Sequence, residues 1–310
     1  MQRLDRPYIR TSGKLQETSW RNAFASIEKH FRNTDLLKPE NGKKIAAIAG
    51  DLACCESMYA LKKILKSLKS PHMDCRPNQF KLTNRYRASY IFNSTIAGID
   101  NADFCLLIGT NPRLEATILN TRIRKAYLKN KPKIYSIGDP GDLTYPYQNI
   151  GSSTSIIRDI ASGSHNVSDK IKKSKKPLII VGESALYNEV GEYIFETLKN
   201  FLVNNNFITK NWNALNVLAQ QASRVGAIDL GIYSINKNDN FSFFNKLRNN
   251  DFKFLYLLGA DSVSIDKKDK FVIYQGSHGD KGAEIADIIL PGAAYTEKNG
   301  LFINLEGSLQ

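Results

Sequence analysis

The sequence has 310 residues, enough for two α/β units of about 150 residues each, and its hydrophobic content of 42% is typical of a globular protein. No apolar run approaches the roughly 18 residues needed to span a bilayer, so we expect membrane contact only through partners. The net charge of +13 is typical of nucleic-acid-binding proteins, but the densest lysine run, 170–176, lacks the interleaved aromatic residues that stack on bases. We therefore expect no nucleic-acid partner.

The chain opens with an extended segment that turns at Ser12–Gly13 and leads into a helix capped by Thr18 or Ser19. A buried helical stripe is predicted at Ala23, Phe24, Ile27 and Phe31. A strand follows at Lys43–Ala49, ended by Gly50. The next helix spans about 55–68, and its core face is predicted to consist of Met58, Leu61, Leu65 and Leu68.

Two further strands are predicted at Phe104–Ile108 and Lys133–Ile137, and each ends at a glycine. The helix between them is expected to carry Leu114, Ile118, Leu119 and Ala126. The polar segment 151–176 is predicted to cross between two units. After it, the pattern predicts strands at 177–182, 254–259, 271–274 and 287–290, helices at 189–201 and 216–224, and a loop at 204–213.

Strands that alternate with helices and end at glycine indicate an α/β fold of two doubly wound, mostly parallel sheets. We place an N-terminal extended segment and helix at 1–40, a first α/β unit at 41–165 and a second at 166–310. In such sheets ligands bind beyond the carboxyl ends of the strands. The loops at Gly50, Gly109, Gly138 and Gly182 are therefore expected to line one crevice.

The loop Gly109–Thr110–Asn111 is the best candidate for an anion site, because glycine permits close backbone approach and a helix begins just after it. The same pattern is also an ordinary turn between a strand and a helix. A second crevice loop contains Gly276, His278 and Asp280. His278 and Asp280 are residue types that can form an acid–base pair, but no nucleophile accompanies them, so a turn with a hydrogen-bonded histidine is the favoured interpretation.

The four cysteines, Cys54, Cys55, Cys75 and Cys105, form no C-x-x-C pair, which favours a reducing compartment and no iron–sulfur cluster held by this chain alone. Cys75 stands in a polar context next to Arg76, yet no second ligand is apparent, so an incidental thiol is favoured over a metal ligand. The histidines are too dispersed to suggest a metal set. The residues thus assign no catalytic and no metal site.

Several motifs together resemble the molybdopterin oxidoreductase family. They are R-L-x-x-P-x-x-R-x-x-G from Arg3 to Gly13, A-D-x-x-L-P from Ala286 to Pro291, and T-E-x-x-G from Thr296 to Gly300. Four further runs are similar to one branch of that family, the C-terminal part of the large iron–sulfur subunit (G-subunit type) of respiratory complex I. These runs are I-G-T-N-P-R-L-E-A (108–116), L-T-Y-P-Y (143–147), A-S-R-V-G (222–226) and Y-Q-G-S-H-G-D (274–280).

The resemblance implies a scaffold part of proton-translocating NADH:ubiquinone oxidoreductase that is not itself catalytic. Catalytic family members carry a histidine soon after the asparagine of the G-x-N-P loop, where this chain has Arg113-Leu-Glu115-Ala116. Gly109, Thr110, Asn111, Gly276, His278 and Asp280 would then line a vestigial crevice without cofactor. The iron–sulfur clusters and FMN would belong to partners: the cluster-bearing N-terminal half of the same subunit and other subunits of the peripheral arm.

Compared with the family, the chain looks truncated at both ends, which predicts a split subunit. Its richness in Lys, Asn and Ile is typical of an AT-rich coding sequence, so we expect an organelle-encoded protein on the matrix side of the mitochondrial inner membrane. The alternative is the cytoplasmic side of a bacterial inner membrane. The alternative function is a true pterin-cofactor oxidoreductase with Cys75 on the metal, and a basic nucleic-acid-binding protein is a remote third.

Overall fold

The computed structural model describes residues 3–76, 86–187, 190–232 and 242–310, and strands alternate with helices along most of them. The strands are β1 (Tyr8–Thr11), β2 (Lys14–Glu17), β3 (Ile45–Ala49), β4 (His72–Asp74), β5 (Phe104–Ile108), β6 (Lys133–Ile137), β7 (Gln148–Asn149), β8 (Pro177–Gly182), β9 (Leu215–Leu218), β10 (Phe254–Leu258), β11 (Phe271–Gly276) and β12 (Ile288–Pro291). The helices are α1 (Trp20–Asn33), α2 (Cys55–Ser67), α3 (Pro112–Glu115), α4 (Thr117–Asn130), α5 (Ser155–Ser162), α6 (Asn166–Lys172), α7 (Glu183–Leu186), α8 (Gly191–Asn204), α9 (Arg224–Asp229), α10 (Ser242–Arg248) and α11 (Lys281–Ile285).

One sheet has seven strands in the order β2-β1-β12-β11-β10-β3-β4. The five strands from β12 to β4 are parallel, and the β1–β2 hairpin extends them in the antiparallel direction. Every residue of β3 is buried, as expected for a parallel strand covered on both faces. The core of this sheet is rich in aromatic residues, among them Phe243, Phe252 and Tyr274.

The other sheet has five parallel strands in the order β7-β6-β5-β8-β9. All residues of the two central strands, β5 and β8, are buried. Cys105 lies in this core, where burial raises the pKa of its thiol to about 12, so it acts as a small hydrophobic side chain, as its apolar surroundings in the sequence indicated. Both sheets agree with the predicted α/β class.

The chain forms two compact units, but they do not follow each other along the sequence. One unit comprises 1–79, 221–304 and 309–310, and the other comprises 80–220 and 305–308. The expected division into 1–40, 41–165 and 166–310 differs from this arrangement, because β8 pairs with β5 across the proposed boundary and β9 in turn pairs with β8. Strand pairing between distant segments leaves no mark in the local hydrophobic pattern on which that boundary rested.

The hairpin turn at Ser12–Gly13 and the cap of α1 by Ser19 are confirmed: Ser19 Oγ accepts from the Asn22 N–H at 3.2 Å.

The predicted helix over 216–224 is wrong, because its first residues form β9 beside β8 and the helix begins only at Arg224. The prediction that 151–176 crosses between the two units is wrong: the segment lies within the unit 80–220 and contains α5 and α6. The predicted start of α8 at Glu189 lies outside the described residues.

Several predicted core positions are exposed instead. Ala23 and Phe31 are buried on α1 as expected, but 55% of Phe24 is exposed. Leu119 and Ala126 are buried on α4, whereas Leu114 and Ile118 are about 80% exposed. Leu114 and Ile118 depart from the pattern because Pro112–Glu115 forms a separate short helix, which shifts the phase of the helical stripe. Within the described segments, no helix combines the length and apolar character needed to cross a membrane.

One buried contact in the larger sheet depends on protonation. The imidazole of His30 on α1 stacks on the ring of Phe271 in β11, with centroids 3.8 Å apart and planes 14° apart. Its Nε2 is buried and has no hydrogen-bond partner among the described residues. Burial therefore lowers the pKa of His30, although the carboxylate of Asp287 acts in the opposite direction.

We predict that the chain loses stability as His30 becomes protonated. Because the folded-state pKa is lowered, the unfolded chain binds more protons, so this stabilisation is present above the ordinary histidine pKa of 6.5 and is lost as pH falls below it. The variant His30→Phe keeps the stacking but removes the titrating group. Both chains should lose free energy of unfolding between about pH 7 and pH 5. The loss for His30→Phe should be smaller than that of the parent chain, by up to about 1 kcal/mol.

Denaturant unfolding across this pH range measures the difference. The control is His165→Gln, since the His165 ring instead accepts the Val167 N–H at the start of α6. Equal pH dependence of His30→Phe and the parent chain would contradict the assignment.

Candidate functional site

The carboxyl ends of four neighbouring strands surround a cavity of about 450 Å³ in the seven-stranded unit. Its walls are the loops that follow β3, β10, β11 and β12. The chain leaves β3 toward β4 on one side, whereas β10 leads to β11 on the other. The cavity therefore lies at the point where the strand order reverses, the usual position of a ligand site in an open α/β sheet.

Two glycines allow the loops after β3 and β10 to touch. A Cβ atom at Gly50 would lie 1.7 Å from the carbonyl oxygen of Gly259, and Gly259 itself has a φ of +56°. The Gly50 N–H donates to the Leu258 carbonyl at 2.8 Å. Any side chain at position 50 would push these loops apart. Glycine at this position is therefore required for the two loops to meet at the base of the cavity.

The three predicted residues Gly276, His278 and Asp280 do line this cavity. Among the described residues, the side chains of His278 and Asp280 form no hydrogen bond with each other. The acid–base pair considered from the sequence is therefore not present. Instead His278 Nδ1 lies 3.0 Å from Ser277 Oγ, and the Asp280 N–H donates to the His278 carbonyl. Gly276 is required because a Cβ there would lie 2.3 Å from Tyr274 Oη.

The cavity carries negative charge that the sequence patterns did not reveal. Asp51 and Asp261 line it together with Asp280, and Lys298 is the lysine among the lining residues. Burial raises the pKa of Asp261, with the carboxylates of Asp280 and Asp51 adding to the effect. The hydroxyl of Tyr274 donates to Asp261 Oδ2 at 2.8 Å, and the Gly282 N–H donates to Oδ1 at 3.0 Å. This electrostatic setting opposes the binding of an anion.

The candidate loop Gly109–Thr110–Asn111 belongs to the other unit, at the end of β5. The carboxylate of Glu115 turns back onto it, accepting the Thr110 hydroxyl at 2.6 Å and the Asn111 N–H at 2.9 Å. These are the donors that a bound phosphate would use. Ser184 Oγ closes the loop from the side by donating to the Gly109 carbonyl at 2.5 Å. An internal carboxylate thus occupies the predicted anion site.

Gly138 follows β6 and Gly182 is the last residue of β8, both in the five-stranded sheet, whereas Gly50 follows a strand of the other sheet. The four predicted crevice loops are therefore divided between two sheets.

Cys75 is buried just after β4, and its polar neighbours form an ion pair with each other. The guanidinium of Arg76 contacts Asp74 at 2.5 Å, and the side chains of both residues are fully buried. Asp74 Oδ1 also accepts the N–H groups of Cys75 and Arg76. Across the described ranges, no group of three or more His, Cys, Asp or Glu side chains is arranged to hold a metal ion.

The first and last recognised motifs meet at Arg3. Its Nη1 donates to the carbonyls of Leu4, Ser277 and Gly292 at 2.9, 2.6 and 3.1 Å, and its Nη2 pairs with the carboxylate of Glu297. The Ala294 N–H also donates to Glu297, and with Arg3 it lowers the pKa of that carboxyl against the opposing effect of desolvation. Arg3 therefore ties the N-terminal segment to the loops after β11 and β12.

Arg10 of the same opening motif has a related structural role. Its guanidinium donates to the carbonyls of Ala286, Glu284 and Gly13 at 2.8, 2.7 and 2.9 Å. Two of these carbonyls lie at the end of α11, and the third lies in the β1–β2 turn, where Gly13 has a φ of +81°. The spacing of arginine, proline and glycine in this motif thus serves to anchor a hairpin.

The family model for molybdopterin oxidoreductases matches residues 3–310. The chain belongs to the molybdopterin oxidoreductase family. Along its whole length it is 40% identical to the NADH-ubiquinone oxidoreductase 75 kDa subunit of Reclinomonas americana and covers 46% of that protein. It is also 40% identical to the G-subunits of the NADH-quinone oxidoreductases of Rickettsia conorii and Rickettsia prowazekii, covering 44% and 43% of them.

The chain thus spans less than half the length of these curated relatives. Among solved structures, it is similar to the acetylene hydratase of Pelobacter acetylenicus, with a TM-score of 0.60 over 98% of this chain and 57% of that enzyme. At 12% identity this likeness shows the fold alone. The predicted family and the likeness to the complex I branch are both confirmed.

The family name implies a pterin cofactor, and the residues of this family member do not fit one. Molybdopterin carries a phosphate, which needs free N–H donors and positive charge. In the Gly109 loop the donors are already bound by Glu115. In the cavity of the larger sheet, Asp51, Asp261 and Asp280 face the space that a ligand would enter.

We predict that Glu115 stabilises its loop in the way a bound anion would. Glu115→Ala leaves the Thr110 hydroxyl and the Asn111 N–H without this acceptor, and it should lower the free energy of unfolding by about 1–2 kcal/mol. Denaturant unfolding of the full chain measures the loss. Glu192→Ala is the control, because Glu192 also lies in the first turn of a helix but outside this loop. Equal losses in the two variants would disprove the role of Glu115.

For Arg3, we expect Arg3→Met to lower the free energy of unfolding by about 1–2 kcal/mol, because three backbone carbonyls lose a charged donor. Glu297→Gln should cost only about 0.5 kcal/mol, since the glutamine oxygen still accepts the Ala294 N–H and an exposed ion pair contributes little. Arg6→Met is the matched control, because the ion pairs that Arg6 forms among the described residues are with the exposed carboxylates of Asp5 and Glu17. A loss for Arg3→Met no larger than that for Arg6→Met would refute the account.

Proposed function

We propose that this chain is a non-catalytic scaffold part of the peripheral arm of NADH:ubiquinone oxidoreductase. The observation that carries the proposal is 40% identity along the whole chain to proteins named as subunits of that enzyme. In this proposal electrons pass from NADH to quinone through FMN and iron–sulfur clusters on partner polypeptides. The filled anion loop and the acidic cavity support a chain that holds no pterin of its own.

The partners we propose are the cluster-bearing portion of such a subunit and other subunits of the peripheral arm. That the cluster-bearing portion is a separate polypeptide, as in a split subunit, stays a prediction. The location we propose is the matrix side of a mitochondrial inner membrane, with the cytoplasmic side of a bacterial inner membrane as the alternative. The relatives from Reclinomonas and Rickettsia are compatible with either.

The surface of α3 and α4 supports a docking role. Leu114 on α3 and Ile118 on α4 are exposed by 80% and 79%, and Leu128 further along α4 is exposed by 63%. The basic side chains of Arg124 and Lys125 on α4 are exposed as well. Neighbouring aliphatic side chains exposed to this degree are typical of a surface that a partner covers.

The proposal predicts that the tagged chain, recovered under mild extraction, brings with it FMN-containing and iron–sulfur polypeptides. In the double variant Leu114→Ser/Ile118→Ser we expect a several-fold lower yield of these partners with an unchanged unfolding midpoint, because the altered residues contribute little to the core. Native mass spectrometry identifies the assembly and its subunits.

The matched control is Leu37→Ser/Ile64→Ser, which alters two residues of similar exposure, 57% and 51%, in the other unit. Recovery of the parent chain without any such partner would contradict the proposed function. Equal loss of partners in the two double variants would show that the α3–α4 surface is not the docking surface.

A further inference from the structure

A second cavity, of about 480 Å³, lies in the seven-stranded unit beside the β1–β2 hairpin. Its floor is apolar and consists of the buried side chains of Leu4, Ala283 and Ile289. Tyr8 and the partly exposed Leu15 form its sides. We call this cavity, bounded by the hairpin and α11, the hairpin groove. Its size is within the range of sites that hold a few side chains.

The groove borders an open edge of the sheet. All four residues of β2 are exposed, and β2 is the outermost strand. A groove with an apolar floor at such an edge resembles the surfaces that bind short protein segments.

The rim of the groove is acidic in a chain whose net charge is +13. Glu17, Asp280 and Glu284 line it, and Lys14 and Lys281 are not among the lining residues. Among the described ion pairs only Glu17 has a partner, Arg6 at 2.9 Å, and that pair is exposed. The nearby Arg10 is directed to backbone carbonyls instead. Two carboxylates at the rim are thus available to a cation.

The negative charge of the rim favours binding of some classes of macromolecule over others. Nucleic acids and anionic membranes would bring phosphates against three carboxylates, which is unfavourable at short range. A protein segment with Lys or Arg beside an aliphatic or aromatic side chain can pair its cation with the rim carboxylates and bury its apolar side chain against the floor. We propose that the hairpin groove docks such a basic, amphipathic segment of a partner protein. The proposal rests on the proposed function, in which this chain is covered by neighbouring subunits.

The direct test is zero-length cross-linking of the native assembly with a water-soluble carbodiimide, which joins a carboxylate to a lysine amine as an amide. The expected result is a link from Glu17, Asp280 or Glu284 to a partner lysine whose sequence neighbours include a large apolar residue. Links confined to residues of this chain, or partner links only from Glu28 and Glu40, which do not line the groove, would overturn the proposal.

A pair of variants gives an independent measurement on the full chain. Glu17→Gln/Glu284→Gln should weaken retention of the cross-linked partner about three- to tenfold, as expected for losing two rim contacts, and should reduce its sensitivity to salt. Glu28→Gln/Glu40→Gln removes two exposed carboxylates elsewhere in the same unit and should leave retention unchanged. Equal retention for both pairs, with unchanged unfolding midpoints, overturns the proposal.

The outcomes separate this inference from the proposed function. If the chain assembles with flavin- and cluster-bearing polypeptides but the groove carboxylates form no partner links, only the groove assignment fails. If the chain is recovered without those polypeptides, the proposed function fails first.

Discussion

The pairing of β3 with β10 is the constraint on which the larger unit depends, because it joins two distant parts of the chain. Ile45 aligns with Phe254 and Ala49 with Leu258, and the strands end where Gly50 packs against Gly259. Only glycine permits that contact, and the loops that leave it in opposite directions form the cavity at the carboxyl edge. The segment 80–220, which intervenes in sequence, builds its own sheet. β3 can therefore pair with β10 only after this intervening segment has been synthesised.

The chemistry of the family is opposed by charge at two places. A pterin phosphate requires donors that are free, yet Glu115 accepts the Thr110 hydroxyl and the Asn111 N–H. In the other unit, the carboxylates of Asp51 and Asp261 raise the cost of any further negative charge. Arg3 and Arg10 instead maintain the fold through backbone carbonyls and, for Arg3, through the carboxylate of Glu297. Motifs of this family can thus persist for structural reasons alone.

Sequence reasoning found the strands well because buried parallel strands such as β5 and β8 are continuous apolar runs. It misjudged the segment after Asn216, since short apolar runs are ambiguous and pairing with β8 decided in favour of a strand. It placed Leu114 in the core because a continuous helix was assumed where the chain has a break at Ala116. The discontinuous units could not be derived, because they depend on long-range pairing.

The candidate site shows a similar division. Both loops lie at the carboxyl ends of strands, since glycines after strands mark that edge of a sheet. They belong to two different sheets, however, and not to the single crevice that was predicted. The sequence also showed that Glu115 lies near the position of the catalytic histidine of family members, but not that its carboxylate turns back onto the loop. The acidity of the cavity was missed because Asp51 and Asp261 lie far apart in sequence and meet only through the pairing of β3 with β10.

We propose that this family member keeps the fold without a metal–pterin centre. The most direct measurement is the content of molybdenum, tungsten and oxidised, fluorescent pterin in the purified native assembly that contains the chain. We predict amounts of metal and pterin far below one per chain, alongside stoichiometric FMN and iron. One molybdenum or tungsten atom per chain, with pterin in equal amount, would contradict the account.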